Sequence, residues 1–289
     1  MAITAAMVKE LRERTGLGMM DCKKALEETD GDLELAIEEL RKKSALKAAK
    51  KAGRTTADGL LGMKLSDDGR KAALVEVNIE TDFAAKNEKF VEYVKQVVDT
   101  VFDSGETDVA KLLEGPLGSK RESLVQEIGE NISVRRAAFV SSEDGRIYSY
   151  LHGDNRKGAL VELSGGNEEL GRDLAMHVTA INPMVVKGSD VSADVLAKER
   201  EIYTSQAAES GKPADIVEKM VEGRVRKFLA EVSLVDQAFV KDANVKISKL
   251  LADQGADCRR FVRFEVGEGI EKEAQDFAAE VAAQIKGVE

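Results

Sequence analysis

Along the first 55 residues, apolar positions recur at helical spacing and are interrupted twice. Thr4 stands where an N-cap belongs, with Met7, Val8 and Leu11 following on one face. Gly16-Leu17-Gly18 breaks this pattern, Cys22, Ala25 and Leu26 begin a second, and Asp30-Gly31-Asp32 breaks again. Leu33, Ala36, Ile37 and Leu40 then fall at i, i+3, i+4 and i+7, so the spacing predicts three short helices and a tail. Adjacent helical residues point ~100° apart, so Met19 and Met20 cannot share a face. At least one is expected at the surface, where a flexible thioether suits a partner; Met19 turned inward is the alternative. In the tail, Arg41, Lys42, Lys43, Lys47, Lys50, Lys51 and Arg54 are interleaved with alanines and a leucine, with no acid among them. That composition suits a solvated connecting helix, or a patch facing an acidic partner or RNA phosphates.

From residue 57 the period shortens to that of strands, and a segment repeats. Residues 70–77, R-K-A-A-L-V-E-V, match residues 156–163, R-K-G-A-L-V-E-L. Each copy follows a short apolar segment, 60–65 or 147–151, across a polar turn, Asp67-Asp68-Gly69 or Gly153-Asp154-Asn155, and so predicts a β-hairpin. Each leads to a helix opening at Asn-Glu, 87–88 or 167–168. Two units of hairpin followed by helix predict an α+β chain with two similar subdomains built on antiparallel sheets.

The copies differ between strand and helix. The second has only Ser164-Gly165-Gly166, whereas the first has Ile79-Glu80-Thr81-Asp82-Phe83. A plain turn therefore suffices for the scaffold, and the acid and aromatic of the longer one call for another reason. Two readings stand open. Thr81 or Asp82 is an ordinary N-cap with Phe83 folded back on the next helix, or Phe83 is exposed for binding.

Beyond the first unit, Val109, Leu112 and Leu113 predict one short helix, Leu124, Val125 and Ile128 another, and 132–140 a strand. Asn182-Pro183 ends the helix of the second unit. Two long helical patterns, 191–209 and 213–231, then predict a projecting antiparallel hairpin, with Pro213 in the first turn of its second helix. Ile247, Leu250 and Leu251 predict a further helix, 261–266 a strand, and Phe277, Val281 and Ile285 an amphipathic C-terminal helix.

Composition narrows the function. The chain has 289 residues and a net charge of −10, which argues against general nucleic-acid binding apart from the basic run. No run of ~18 apolar residues is present, so no membrane span is expected. Two distant cysteines, Cys22 and Cys258, suit reduced thiols in a cytoplasm. No phosphate-binding glycine motif occurs, and Gly267-Glu268-Gly269 lacks the third glycine of a dinucleotide site. His152 and His177 are too few for a zinc site, and a Cys22–His152 nucleophile pair is a remote alternative. No catalytic residue, metal or cofactor is expected. His152, before Gly153 at a hairpin turn, is instead a candidate surface contact.

Three stretches carry a resemblance. Residues 8–16, V-K-E-L-R-E-R-T-G, with 18–26, G-M-M-D-C-K-K-A-L, resemble the N-terminal signature of the elongation factor Ts family. Residues 80–83, E-T-D-F, with 85–87, A-K-N, resemble its second signature, and 260–269, R-F-V-R-F-E-V-G-E-G, its final strand. Ala84 stands where that family usually has Val, and Ile79 where it often has Cys.

The resemblance implies nucleotide exchange on elongation factor Tu, a GTPase of translation elongation. It implies a ubiquitin-associated-like (UBA-like) domain with a basic linker over 1–55, core subdomains over 56–141 and 142–186 plus 232–267, a coiled-coil arm over 187–231 and a C-terminal module over 268–289. It further implies that Thr81, Asp82, Phe83 and Ala84 dislodge the GTPase's Mg²⁺, while Arg12, Met19, Met20, His152 and Gly153 make other contacts. Pairing of copies, or a 2:2 complex, through the arm is the accompanying partner expectation. The rivals are an RNA- or ribosome-associated module using 41–54, and a dimeric scaffold using the arm.

Overall fold

Side-chain caps set the helix boundaries of the N-terminal unit. The computed structural model describes residues 3–209 and 213–271. Helix α1 (Ala5–Thr15) starts where Met7 N–H donates to the Thr4 hydroxyl and ends at Gly16, whose φ of 71° favours glycine. Helix α2 (Met19–Glu28) follows, and the Asp32 carboxylate caps α3 (Leu33–Lys51) through the Glu34 and Leu35 amides. Leu11, Leu17, Cys22, Leu26 and Leu40 are sealed between the three helices.

The third helix is not short. It runs unbroken for 19 residues and absorbs most of the basic tail, so no separate connecting helix exists. Its buried stripe continues from Leu40 through Ser44 to Ala48, and Ala48 belongs to the hydrophobic core of the following unit. Apolar spacing ended at Leu40 in the sequence because the later inward positions are small: a serine and an alanine, which let another helix approach closely.

Strands β1 (Asp58–Leu65) and β2 (Lys71–Ile79) form the first hairpin. Helices α4 (Asp82–Ala85), α5 (Glu88–Ser104), α6 (Val109–Leu113) and α7 (Pro116–Ile128) lead to β3 (Ile132–Ser141), which pairs antiparallel with β2. The second unit repeats this with β4 (Arg146–Leu151), β5 (Lys157–Ser164) and α8 (Glu168–Ile181). The chain then leaves through α9 (Ala193–Ala208) and α10 (Ala214–Val232). It returns by a two-stranded ribbon, β6 (Ala238–Phe239) and β7 (Asp242–Lys246), and α11 (Ile247–Asp253). The last strand, β8 (Asp257–Glu265), pairs with β5. The sheets are thus β1-β2-β3 and β4-β5-β8, all antiparallel, in an α+β arrangement.

Simple alternation fails for the central strands. Every β2 residue from Ala72 to Ile79 is buried. Ala73, Val75, Val77 and Ile79 face the helices with Phe90, Tyr93 and Val97, while Ala72 and Leu74 meet Ile147, Leu160 and Phe264 of the second sheet. The two sheets lie against each other with helices on their outer faces, so both faces of β2 and of β5 are covered.

The repeat extends to a buried carboxylate. Glu76 on β2 and Glu162 on β5 occupy matching positions, each beside a register shift in the third strand. Arg135 and Arg136 bond Glu76 at 3.0 and 2.6 Å, and Gly267 N–H donates to it at 2.8 Å. Arg260 bonds Glu162 at 2.6 Å and Ser142 donates to it at 2.6 Å, with Arg259 Nη1 3.8 Å away. The bulge places two arginines opposite one glutamate in each sheet.

Burial opposes the Glu162 charge, but the Ser142 and Arg260 bonds prevail and hold its carboxyl below the ordinary value of 4.5. A lowered folded-state value contributes stability above the unfolded value and loses it as pH falls through the folded one. Glu162→Gln is therefore expected to cost ~1–3 kcal/mol in urea unfolding at pH 7. That deficit should shrink below pH ~4; an equal deficit at pH 3 and pH 7 would contradict the charge assignment.

In the arm, Tyr203 and Ala207 of α9 meet Val221 and Val225 of α10, with Arg200 paired to Glu222. Pro213 is the N-cap of α10, one position earlier than expected. The C-terminal helix expected from Phe277, Val281 and Ile285, and residues 210–212, lie outside the described residues. Among the described residues no helix is long and apolar enough to cross a membrane.

Candidate functional site: an exposed aromatic on a clamped turn

After Ile79 the chain leaves the core and makes one helical turn, α4. Thr81 caps it: its hydroxyl accepts from Ala84 N–H at 3.2 Å. Ala85 points into the first core and Ala84 packs at its edge. Phe83 lies two positions, or ~200°, from Ala85 and so faces away. It is 81% exposed, which overturns the folded-back reading. An N-cap and an exposed ring coexist, so the two readings were not exclusive.

The turn is held from behind. Glu130, in the connection between α7 and β3, accepts from Thr81 N–H at 3.0 Å and from its hydroxyl at 2.8 Å. Neighbouring Asn131 donates its N–H to Glu80 at 2.6 Å, and Arg54 lies 3.5 Å from the same carboxylate. In front, Lys86 pairs with Asp82 at 3.1 Å and stands 5.5 Å over the Phe83 ring, an exposed cation–π contact worth ~0.5–1 kcal/mol. An acid and an aromatic are thus presented outward from a backbone with few freedoms. Sequence reasoning missed Glu130, because its bonds to Thr81 span 49 residues and leave no local trace.

The other candidates occupy three places. Met19 and Met20 open α2 at 60% and 74% exposure, so the inward placement of Met19 is wrong. Arg12 is exposed on α1. His152 is exposed at the β4–β5 turn and stacks on Tyr150 at 6.5 Å between ring centroids. Gly153 is exposed, and a Cβ there would meet open space, so packing does not require glycine.

Neither cysteine suits nucleophilic chemistry. Burial raises the Cys22 thiol pKa, with the Thr15 contact only partly offsetting it, and pushes Cys258 up to about 12. Cys22 is sealed in the N-terminal core while His152 sits at the second hairpin, so no Cys–His pair forms. His177 is buried, bonded to Gln237 at 2.9 Å and accepting from Val240 N–H at Nδ1. Among the described residues no cluster of three or more His, Cys, Asp or Glu side chains is arranged to hold a metal. In the basic run, Lys42, Lys43 and Arg54, three of its seven cations, have acidic partners, which reduces the free charge visible in the sequence.

Comparison with known proteins bears on this layout. The family described as Elongation factor TS matches residues 80–268, from the clamped turn to the last strand. A protein named Elongation factor Ts from Hahella chejuensis is 60% identical over 286 residues, covering 99% of both chains. One of the same name from Marinobacter nauticus is 58% identical, covering 98% of this chain and 97% of that relative. A third, from Saccharophagus degradans, is 56% identical over 99% of this chain and 98% of that relative. Identity of this depth, spanning both the exposed turn and the sheets that carry it, makes this chain a member of the elongation factor Ts family.

Proposed function

We propose that the chain promotes GDP release from elongation factor Tu by pressing the Phe83 turn into the GTPase beside its Mg²⁺ and phosphate site. The supporting observation is a phenylalanine 81% exposed on a turn fixed by Glu130 and Lys86. GDP in such a GTPase is held by backbone amides around its phosphates and by a cation with strict geometry. A chain that binds the nucleotide-free state best loosens GDP by the same factor by which GDP loosens the complex.

Phe83 supplies apolar area for that differential contact, and Asp82 brings a negative charge toward the cation and phosphates. Thr81 supports the turn from its cap. Ala84, half-turned toward its own core, contributes through shape more than contact. On this reading Arg12, Met19 and Met20 hold the GTPase from the N-terminal unit, and His152 with Gly153 holds it from the second hairpin. The test is release of labelled GDP from the cognate elongation factor Tu. Catalytic amounts of this chain should accelerate it; no acceleration would sink the reading.

A further inference from the structure

The Phe83 turn and the methionine turn lie about sixty residues apart in sequence, yet one short segment touches both. Gln126, in the last turns of α7, accepts from the buried Ser44 hydroxyl at 2.7 Å and donates to Asp21 at 3.3 Å. Asp21 follows Met20 in the first turn of α2. Four residues after Gln126, beyond the α7 C-cap at Gly129, Glu130 holds Thr81 through both its amide and its hydroxyl. On the helix after Phe83, Lys89 reaches back to the Gly16 carbonyl at 3.4 Å while paired to Glu127. Helix α3 completes the frame as a single rod, with Leu40 in one core and Ala48 in the next.

We infer that Gln126, Glu130 and Lys89 are positioning residues, which fix the Met19–Met20 turn and the Phe83 turn at one spacing before any partner arrives. The inference rests on the exchange reading above. Two contact patches on a stiff frame bind as one, because engaging the first puts the second at high effective concentration. The N-terminal unit has its own small core and meets α7 in two ways: Ala48 of α3 is buried with Leu124 and Val125, while the α1–α2 end is held by the polar bonds of Gln126 and Lys89, which loosen when cut. The α3 rod therefore joins the two units, and these few polar side chains set how the methionine turn sits relative to the Phe83 turn.

The test uses the full chain with spin labels on Lys24→Cys and Lys95→Cys, both exposed sites, the native thiols being buried. In the Gln126→Ala/Lys89→Ala chain the distance distribution between labels should broaden. The concentration of Tu·GDP giving half-maximal exchange should rise about tenfold while the maximal rate holds. In an unlabelled chain, joining Asp21→Cys to Gln126→Cys with a short bis-maleimide, in the Lys89→Ala background, should restore the lower concentration. A merely structural role would also lower the maximal rate and would not be rescued by the cross-link.

A narrow distribution in the double variant overturns the inference whatever the partner does. So does a broad distribution with an unchanged half-saturating concentration. Failure of the exchange reading appears elsewhere, as absent acceleration by the unsubstituted chain.

Discussion

Replacing Phe83 with alanine is expected to slow GDP release from elongation factor Tu at least tenfold while leaving the chain folded. The folding half follows from exposure: a ring 81% open to solvent contributes little to its own core, and Thr81, Ala85 and Glu130 keep the turn in place without it. The kinetic half follows from area. A phenylalanine offers ~150–250 Å² for burial. At ~25 cal/mol per Å² this amounts to ~4–6 kcal/mol as an upper bound. Were all of it felt only by the nucleotide-free complex, the shift would reach about a thousandfold or more. A tenfold loss requires only ~1.4 kcal/mol of it. Stopped-flow release of labelled GDP measures the effect, with circular dichroism to check the fold. An unchanged rate in a folded chain would remove Phe83 from the mechanism.

The second large effect is loss of affinity when the N-terminal contact is removed. Deleting residues 1–55 should weaken the complex, but that deletion also strips Ala48 from the first core and Lys51 from the Gly129 carbonyl. The cleaner change is Met19→Ala with Met20→Ala, since both side chains lie outside the three-helix core. Truncating one well-buried interface anchor costs ~2 kcal/mol or more. The double substitution should therefore raise the dissociation constant at least tenfold by titration calorimetry, with thermal stability within ~0.5 kcal/mol of the parent. An unaltered dissociation constant would leave the methionine turn without a binding role.

Much of the architecture was legible because it is local. Thr4, Asp32, Asn87 and Asn167 cap the helices they precede, and Gly16 and Asn182 end theirs in the left-handed region. The repeat at 70–77 and 156–163 announced two equivalent hairpins, and its difference after the strand pointed at Phe83. What escaped notice was long-range. No spacing revealed that α3 bridges two cores, because its inward residues there are Ser44 and Ala48. Nothing near Thr81 pointed to Glu130, and nothing near Met20 to Gln126.

By itself, then, the chain's order of residues determined where most helices start, where the two hairpins turn, that two units repeat, and which turn departs from its counterpart. Caps, glycines and apolar periods act within a few residues, so they can be read without coordinates. Only the tertiary structure decided that Phe83 faces solvent, that both Glu76 and Glu162 are sealed between arginines, and that one stretch, the end of α7 and the connection after it, reaches both exposed turns. Those outcomes depend on which surfaces meet when distant segments pack, and packing is governed by shape and burial across the whole chain.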